Sequence, residues 1–301
     1  MNGYNEEQNN EYMNSGKKRK SHIGIIIFIS MILLGIIVAA AGAIWAYNTD
    51  MTKYMKVKSV DETFDAENVK NVSVDYVCGN LIIEKSNDDN IHVYGTNVPE
   101  YVEFDLNENG FEVKSVEHNG KVFWENLQVF NWNFDRNNNG TLTVSLPQKS
   151  YDRFVLNLGA GKTDISDISC KNSEIDMGAG QTTVTNLSVS EFIDIDCGVG
   201  QVNFNNGDFG SADIDCGVGE FNFTGMLKGK TDIDCGVGAC NFNIFGNKSD
   251  YTFTGDNYGE RSHSGTSGKY IIDVDSGVGE VNFSFSDSMN ERNDDYAKNI
   301  V

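Results

Sequence analysis

One eleven-residue phrase recurs along this chain, and its spacing limits the fold more than any other feature. "DIDCGVGQVNF" fills residues 194–204, "DIDCGVGEFNF" 213–223 and "DIDCGVGACNF" 232–242, each nineteen residues after the one before. It returns after a gap as "DVDSGVGEVNF" at 273–283, and weaker forms precede it, "EIDMGAGQTTV" at 174–184 and "VLNLGAGKTDI" at 155–165. The strict alternation of "DIDC" is that of a strand, with Ile195 and Cys197 on one face and Asp194 and Asp196 on the other. "QVNFN" alternates likewise and turns Val202 and Phe204 inward. Between them Gly198-Val199-Gly200 supplies a sharp turn, where positive φ costs glycine little. A second turn near "NGDFGS" (206–211) leads into the next copy. Such a unit cannot bury its own apolar face, so copies must stack on one another.

The expected fold is therefore all-β: a single-stack β-solenoid of 19–20-residue two-strand coils, preceded by one transmembrane helix. Stacking aligns equivalent positions about 4.8 Å apart. One inward column reads Leu156, Ile175, Ile195, Ile214, Ile233, Val274, and the next Leu158, Met177, Cys197, Cys216, Cys235, Ser276. Across the core lie Val202, Phe221, Cys240 and Val281, then Val184, Phe204, Phe223, Phe242 and Phe283. The 41-residue step from Gly236 to Gly277 leaves room for a degenerate unit around "DYTFTG" (250–255), followed by a loop at 256–268. A dinucleotide-binding loop also uses paired glycines, but it needs a following helix, and here a strand follows each pair.

The same geometry makes the cysteines small core residues. Cys197, Cys216 and Cys235 share one column, where parallel, in-register side chains are poorly aimed at one another for a disulfide. No C-x-x-C pair and no histidine spacing marks a metal centre, so no cofactor is expected.

Outward, the repeat builds two acidic columns. Asp194, Asp196, Asp213, Asp215, Asp232, Asp234, Asp273 and Asp275 form a candidate cation-binding grid, with Glu174 and Asp176 continuing it. Two charges 4.8 Å apart in water repel by roughly 0.9 kcal/mol before screening. A solvated acidic face that keeps strands from aggregating is one reading; weak, multi-site binding of calcium by clustered carboxylates is the other. The spacing is neither that of an EF-hand nor that of a calcium-binding β-roll. The overall charge of −21 argues against nucleic acid as a partner, since phosphates need a basic footprint.

Residues 71–84, "NVSVDYVCGNLIIE", and the strand-like runs up to "TLTVSLP" (141–147) are expected to begin the same solenoid and cap it. Among them lies "VFWENLQVFNWNFDR" (122–136), whose Trp124, Phe130, Trp132 and Phe134 are either an aromatic flap or a partner-contact patch.

Residues 23–47 carry no charge, and a helix needs roughly 20 apolar residues to cross a bilayer. Lys17, Lys18, Arg19 and Lys20 precede the run, and Trp45 and Tyr47 sit where interfacial aromatics belong. A cleaved signal peptide is the competing reading, but signal h-regions span about 7–15 residues. The resulting layout is a disordered cytoplasmic tail (1–21), a transmembrane helix (22–47) in contact with membrane lipid, a linker (48–60), an extracytoplasmic β-solenoid (61–285) and a polar tail (286–301). That layout is expected to make the chain a single-pass membrane protein with its N-terminus in the cytoplasm.

The order of anchor, "VSVDYVCGNLIIE", aromatic segment, "LTVSLP" and then "GAG" and "GVG" repeats resembles the bacterial putative adhesin domain family, the adhesin-like β-strand repeat proteins of the envelope. The likeness covers residues 60–285; the cysteine column departs from the threonine or serine expected there. The resemblance implies a β-solenoid at the cell envelope with no established enzymatic activity, and some relatives look like accessory parts of envelope-stress signalling. The functional expectation is thus a non-enzymatic binding or adhesin-like module, contacting an envelope polymer or a membrane protein. The alternative is an accessory regulator or scaffold of an envelope-stress sensing system. No nucleophile–base pair, metal cluster or phosphate loop supports an enzyme, and ten carboxylates in register look like a column effect rather than a glycosidase pair.

Overall fold

The strands of this chain pair with their own repeats. The computed structural model describes residues 56–115, 140–255 and 268–286, and the regular structure there is β apart from one 3-10 turn at Lys248–Asp250. The strands are β1 (Val57–Asp65), β2 (Asn71–Lys85), β3 (Asn90–Pro99), β4 (Val102–Asn107), β5 (Gly110–Ser115), β6 (Thr141–Leu146), β7 (Ser150–Ser166), β8 (Ser169–Thr185), β9 (Ser188–Leu227), β10 (Lys230–Phe245), β11 (Tyr251–Thr254), β12 (Tyr270–Ser276) and β13 (Glu280–Ser286). They form one 13-stranded, mostly parallel sheet, compatible with a solenoid-like fold.

Each coil consists of two arms joined by a glycine arc. β7 and β8 run parallel from Ser150↔Ser169 to Ser166↔Thr185, and β8 and β9 from Ser169↔Ser188 to Thr185↔Asn205. β9 passes through two coils without a break, and its second half pairs with β10 from Ala212↔Thr231 to Gly225↔Ile244. Like therefore meets like: Ile214 lies beside Ile233, Cys216 beside Cys235 and Phe223 beside Phe242. Ile175, Ile195, Ile214, Ile233 and Val274 are buried, as the alternation requires. The phenylalanines continue from coil to coil, with ring centroids 5.6 Å apart for Phe204–Phe221, 5.5 Å for Phe221–Phe242 and 5.0 Å for the stacked pair Phe242–Phe283. Each such pair adds about 0.5–1.5 kcal/mol beyond its buried area.

Glycine is required at the arcs for two separate reasons. Gly200 and Gly219 take φ of 146° and 144°, a region closed to other residues. Gly198 has an ordinary φ, but a Cβ there would run into the Gly178 carbonyl of the coil beside it. At the opposite turn Asp167, Asn186 and Asn206 carry the left-handed conformation at φ 60°, 56° and 61°, tolerated because short polar side chains bond locally.

The first half joins the same stack. β2 is a full coil, parallel to β7 from Asn71↔Arg153 to Ile83↔Ile165. On its other side β5 covers the first arm (Val74↔Val113) and β6 the second (Leu81↔Leu142). The antiparallel pairs β3–β6, β1–β3 and β4–β5 then close this end. Ser115 and Gly140 both meet the β2 arc: Val77 N–H donates to Ser115 Oγ at 3.3 Å, and Asn80 N–H to the Gly140 carbonyl at 3.2 Å. The aromatic segment 122–136 lies outside the described residues.

The far end departs from the expected order. The segment at 250–255 does form a strand, but not a unit between its sequence neighbours. β12 and β13 stack directly on β10, with Asp273 beside Asp232 and Phe283 beside Phe242. β11 lies beyond them, parallel to β12 (Tyr251↔Tyr270). The physical reason is column matching: "DVDSGVGEVNF" continues every column of β10, whereas "YTFT" continues only one arm. No helix of the described residues is long and apolar enough to cross a membrane; the anchor expected at 22–47 lies outside those residues.

Candidate functional site

From β8 onward the first arm of each coil turns its carboxylates toward solvent. Glu174 pairs with Asp194, Asp176 with Asp196, Asp213 with Asp232, Asp215 with Asp234, Asp232 with Asp273 and Asp234 with Asp275, so the residues of the acidic grid share two adjacent columns. Partial burial, and then the charges of their neighbours, hold the carboxyls of Asp176, Asp194 and Asp215 above the usual range. The columns carry cations of their own. Arg153 pairs with Glu174, and Lys230 Nζ donates to Asp232 Oδ2 at 2.6 Å, in the field of Asp213 and Asp273. Among the described residues, no group of three or more His, Cys, Asp or Glu side chains is arranged to hold a metal ion.

The second arm presents an amide ladder. Asn222 Nδ2 donates to Asn203 Oδ1 at 3.0 Å, Asn241 to Asn222 at 2.9 Å and Asn282 to Asn241 at 3.1 Å. The turn residues repeat the device, Asn206 donating to Asn186 and Asn186 to Asp167, both at 2.7 Å. Stacked amides satisfy one another along the stack, which holds neighbouring coils in register.

Between the two arms runs the arc edge. The middle residue of each Gly-x-Gly points away from the core, so Val199, Val218, Val237 and Val278 are 59%, 50%, 50% and 85% exposed. These valines top an apolar strip, and behind the arcs a small space is lined by the core-facing Tyr76, Met177, Cys197, Cys216 and Phe221 among others. Sequence reasoning treated these valines as turn filler. Alternation carried forward from Ile195 and Cys197 puts Val199 inside, whereas alternation carried back from Val202 and Phe204 puts it outside, so the phase changes within the arc and the pattern alone does not give the face.

At the antiparallel cap a further constellation forms that the sequence did not announce. Thr63 Oγ1 lies 3.1 Å from His92 Nδ1, and His92 Nε2 lies 2.9 Å from Asp88 Oδ1. Asp88 is held below the usual carboxylate range by its bonds from the Asn90 N–H and then from His92. This hydroxyl–imidazole–carboxylate chain is solvent-exposed, unlike the desolvated settings that tune catalytic groups. Trp124, Phe130, Trp132 and Phe134, the expected partner contacts, lie outside the described residues.

The family described as Toastrack DUF4097 matches residues 55–298, most of the chain. The chain belongs to this family. No curated protein matches its sequence. Solved structures similar to this Toastrack domain include a putative cell adhesion protein from Clostridium sporogenes, 14% identical, covering 77% of this chain and 100% of that one at a TM-score of 0.29. A putative adhesin from Parabacteroides distasonis is 12% identical over 76% and 98% of the two chains, with a TM-score of 0.33. Another, from Bacteroides fragilis, is 15% identical over 75% and 97%, with a TM-score of 0.31.

Proposed function

We propose that this Toastrack domain is a non-enzymatic, adhesin-like binding module of the bacterial cell envelope. In this reading it is a single-stack β-solenoid, tethered by a transmembrane helix at 22–47 and held outside the membrane. The observation that carries it is the exposed valine strip of the arc edge, set beside the acidic columns and repeated at every coil of the GVG type. A row of identical contacts at one coil spacing suits a partner that is itself extended, such as an envelope polymer or the flank of a membrane protein. Single contacts are weak, and their number supplies the affinity. The uncharged run 23–47 and the basic residues before it support the anchor. The acidic columns draw cations as a diffuse atmosphere, with calcium held weakly at many sites.

The test is photocrosslinking in cells from Val218, Asp215 and Trp132, with the captured species identified by mass spectrometry. Envelope polymer or surface protein captured through Val218 or Asp215 supports the binding module. Capture of a membrane-embedded sensor through Trp132, with nothing at the other two positions, overturns it in favour of an accessory regulator of envelope-stress sensing.

A further inference from the structure

Inward positions five residues apart flank each arc, and the β10 arc brings its two, Cys235 and Cys240, into contact across the core. By register the equivalent pairs are Tyr76 and Leu81, Leu158 and Thr163, Met177 and Thr182, Cys197 and Val202, Cys216 and Phe221, and Ser276 and Val281. Only β10 places cysteine at both positions. The expectation that stacked cysteines are poorly aimed concerns neighbours along a column, whereas this pair spans the core within one coil. Cys235 and Cys240 are 3% and 1% exposed, and the Cys240 thiol donates to Cys235 Sγ at 2.8 Å. A covalent S–S bond is about 2.05 Å, so a small closure of the arc suffices to join them.

We propose that Cys235 and Cys240 are a disulfide site, closed across the Gly236-Val237-Gly238-Ala239 arc. Each thiol gives up one proton and one electron. The electron pair passes to a disulfide donor, whose own S–S bond breaks and takes up both protons as two thiols. Cys216 touches the Cys240 sulfur from the coil beside it and Cys197 in turn touches Cys216, so the pair sits at the end of a short run of thiols. Burial pushes the Cys235 thiol up to about 12, and Cys240 is raised too, first by its bond to Cys216 and then by burial. A thiol kept protonated exchanges slowly. The bond is therefore a structural clip, formed before β12 and β13 cover the pair, and not a fast redox sensor.

Trypsin tests this directly, because cleavage after Lys230 and Lys248 releases a peptide, 231–248, that holds Cys235 and Cys240 and no other cysteine. The full chain is refolded in a buffer of oxidised and reduced glutathione, blocked with iodoacetamide under denaturing, non-reducing conditions, and digested. The expected peptide is two hydrogens lighter than the dithiol, carries no carbamidomethyl group, and stays so in a Cys216→Ser variant. Two carbamidomethyl groups on that peptide, or its linkage to the 172–228 peptide through Cys197 or Cys216, overturn the proposal. Cys240→Val installs the residue that the adjoining coil carries at Val281 and the coil two steps away carries at Val202, so the fold is kept while the bond is lost. Circular dichroism checks the fold, and Cys235 should then alkylate completely.

Discussion

At the scale of single residues, the arcs separate what holds the coil from what it shows to solvent. Gly219→Ala forces a side chain into positive φ and against the Gly200 carbonyl, so the backbone conformation alone should cost about 1–3 kcal/mol in urea unfolding. Its neighbour Val218 is half exposed, and Val218→Ser should shift stability by under about 0.5 kcal/mol while weakening partner capture. Loss of folding in Val218→Ser would show that the strip is part of the core. These arc glycines were legible because the repeat itself names them, while the outward valine was overlooked between them. The Cys235–Cys240 pair was not legible either, since columns read along the stack do not show which residues meet across it. The contact of Thr63 with His92 depends on an antiparallel pairing of β1 with β3, and no repeat announces that pairing.

At the scale of elements, coils are held to coils by ladders of like side chains. Phe242 touches Phe221, Phe223 and Phe283, and Phe242→Ala should destabilise by about 3–5 kcal/mol, read from the midpoint of urea unfolding. Asn222 donates to Asn203 and accepts from Asn241. Asn222→Ala should cost about 1–2 kcal/mol for the two ladder bonds at roughly 1 kcal/mol each, its third bond, to Glu220, being exposed to water. A cost near zero would mean that water replaces the ladder without loss. The 19–20-residue repeat made the stacking of β7 through β10 readable in advance, because matching columns fix the register, and the one-residue difference is taken up by an irregularity between Cys170 and Asn172. The place of β11 was not readable. Sequence order predicts adjacency, whereas the columns favour the coil that continues all of them.

At the scale of the whole molecule, the acidic face sets the response to pH and salt. Asp176, Asp194 and Asp215 have folded pKa values above their unfolded ones. The folded state therefore binds their protons more readily, and the stability they contribute is present below the unfolded pKa and lost as pH rises through the folded one. Asp215→Asn should accordingly stabilise the domain at neutral pH, by a fraction of a kcal/mol after solvent screening, with the gain fading as the medium is acidified toward the carboxylate range. Raising salt to about 0.1 M, where the Debye length falls to about 10 Å, should raise the melting temperature. Magnesium and calcium at equal concentration should do so alike; a response to calcium alone would reveal a dedicated site.

The exchanged order at the far end sets a constraint on synthesis. β11 is translated before β12, yet its pairing partner is β12. A nascent chain that has just emitted Thr254 has only the bond from Tyr251 to the Leu227 carbonyl to hold that strand and no strand to pair it with, while the face of β10 awaiting β12 and β13 stands open. The stack can therefore grow with the ribosome up to β10 and must then wait for the C-terminal coil. Until that coil seats, the thiols of Cys235 and Cys240 lie within reach of a disulfide donor, and a chain truncated after residue 255 would keep that window open for its lifetime.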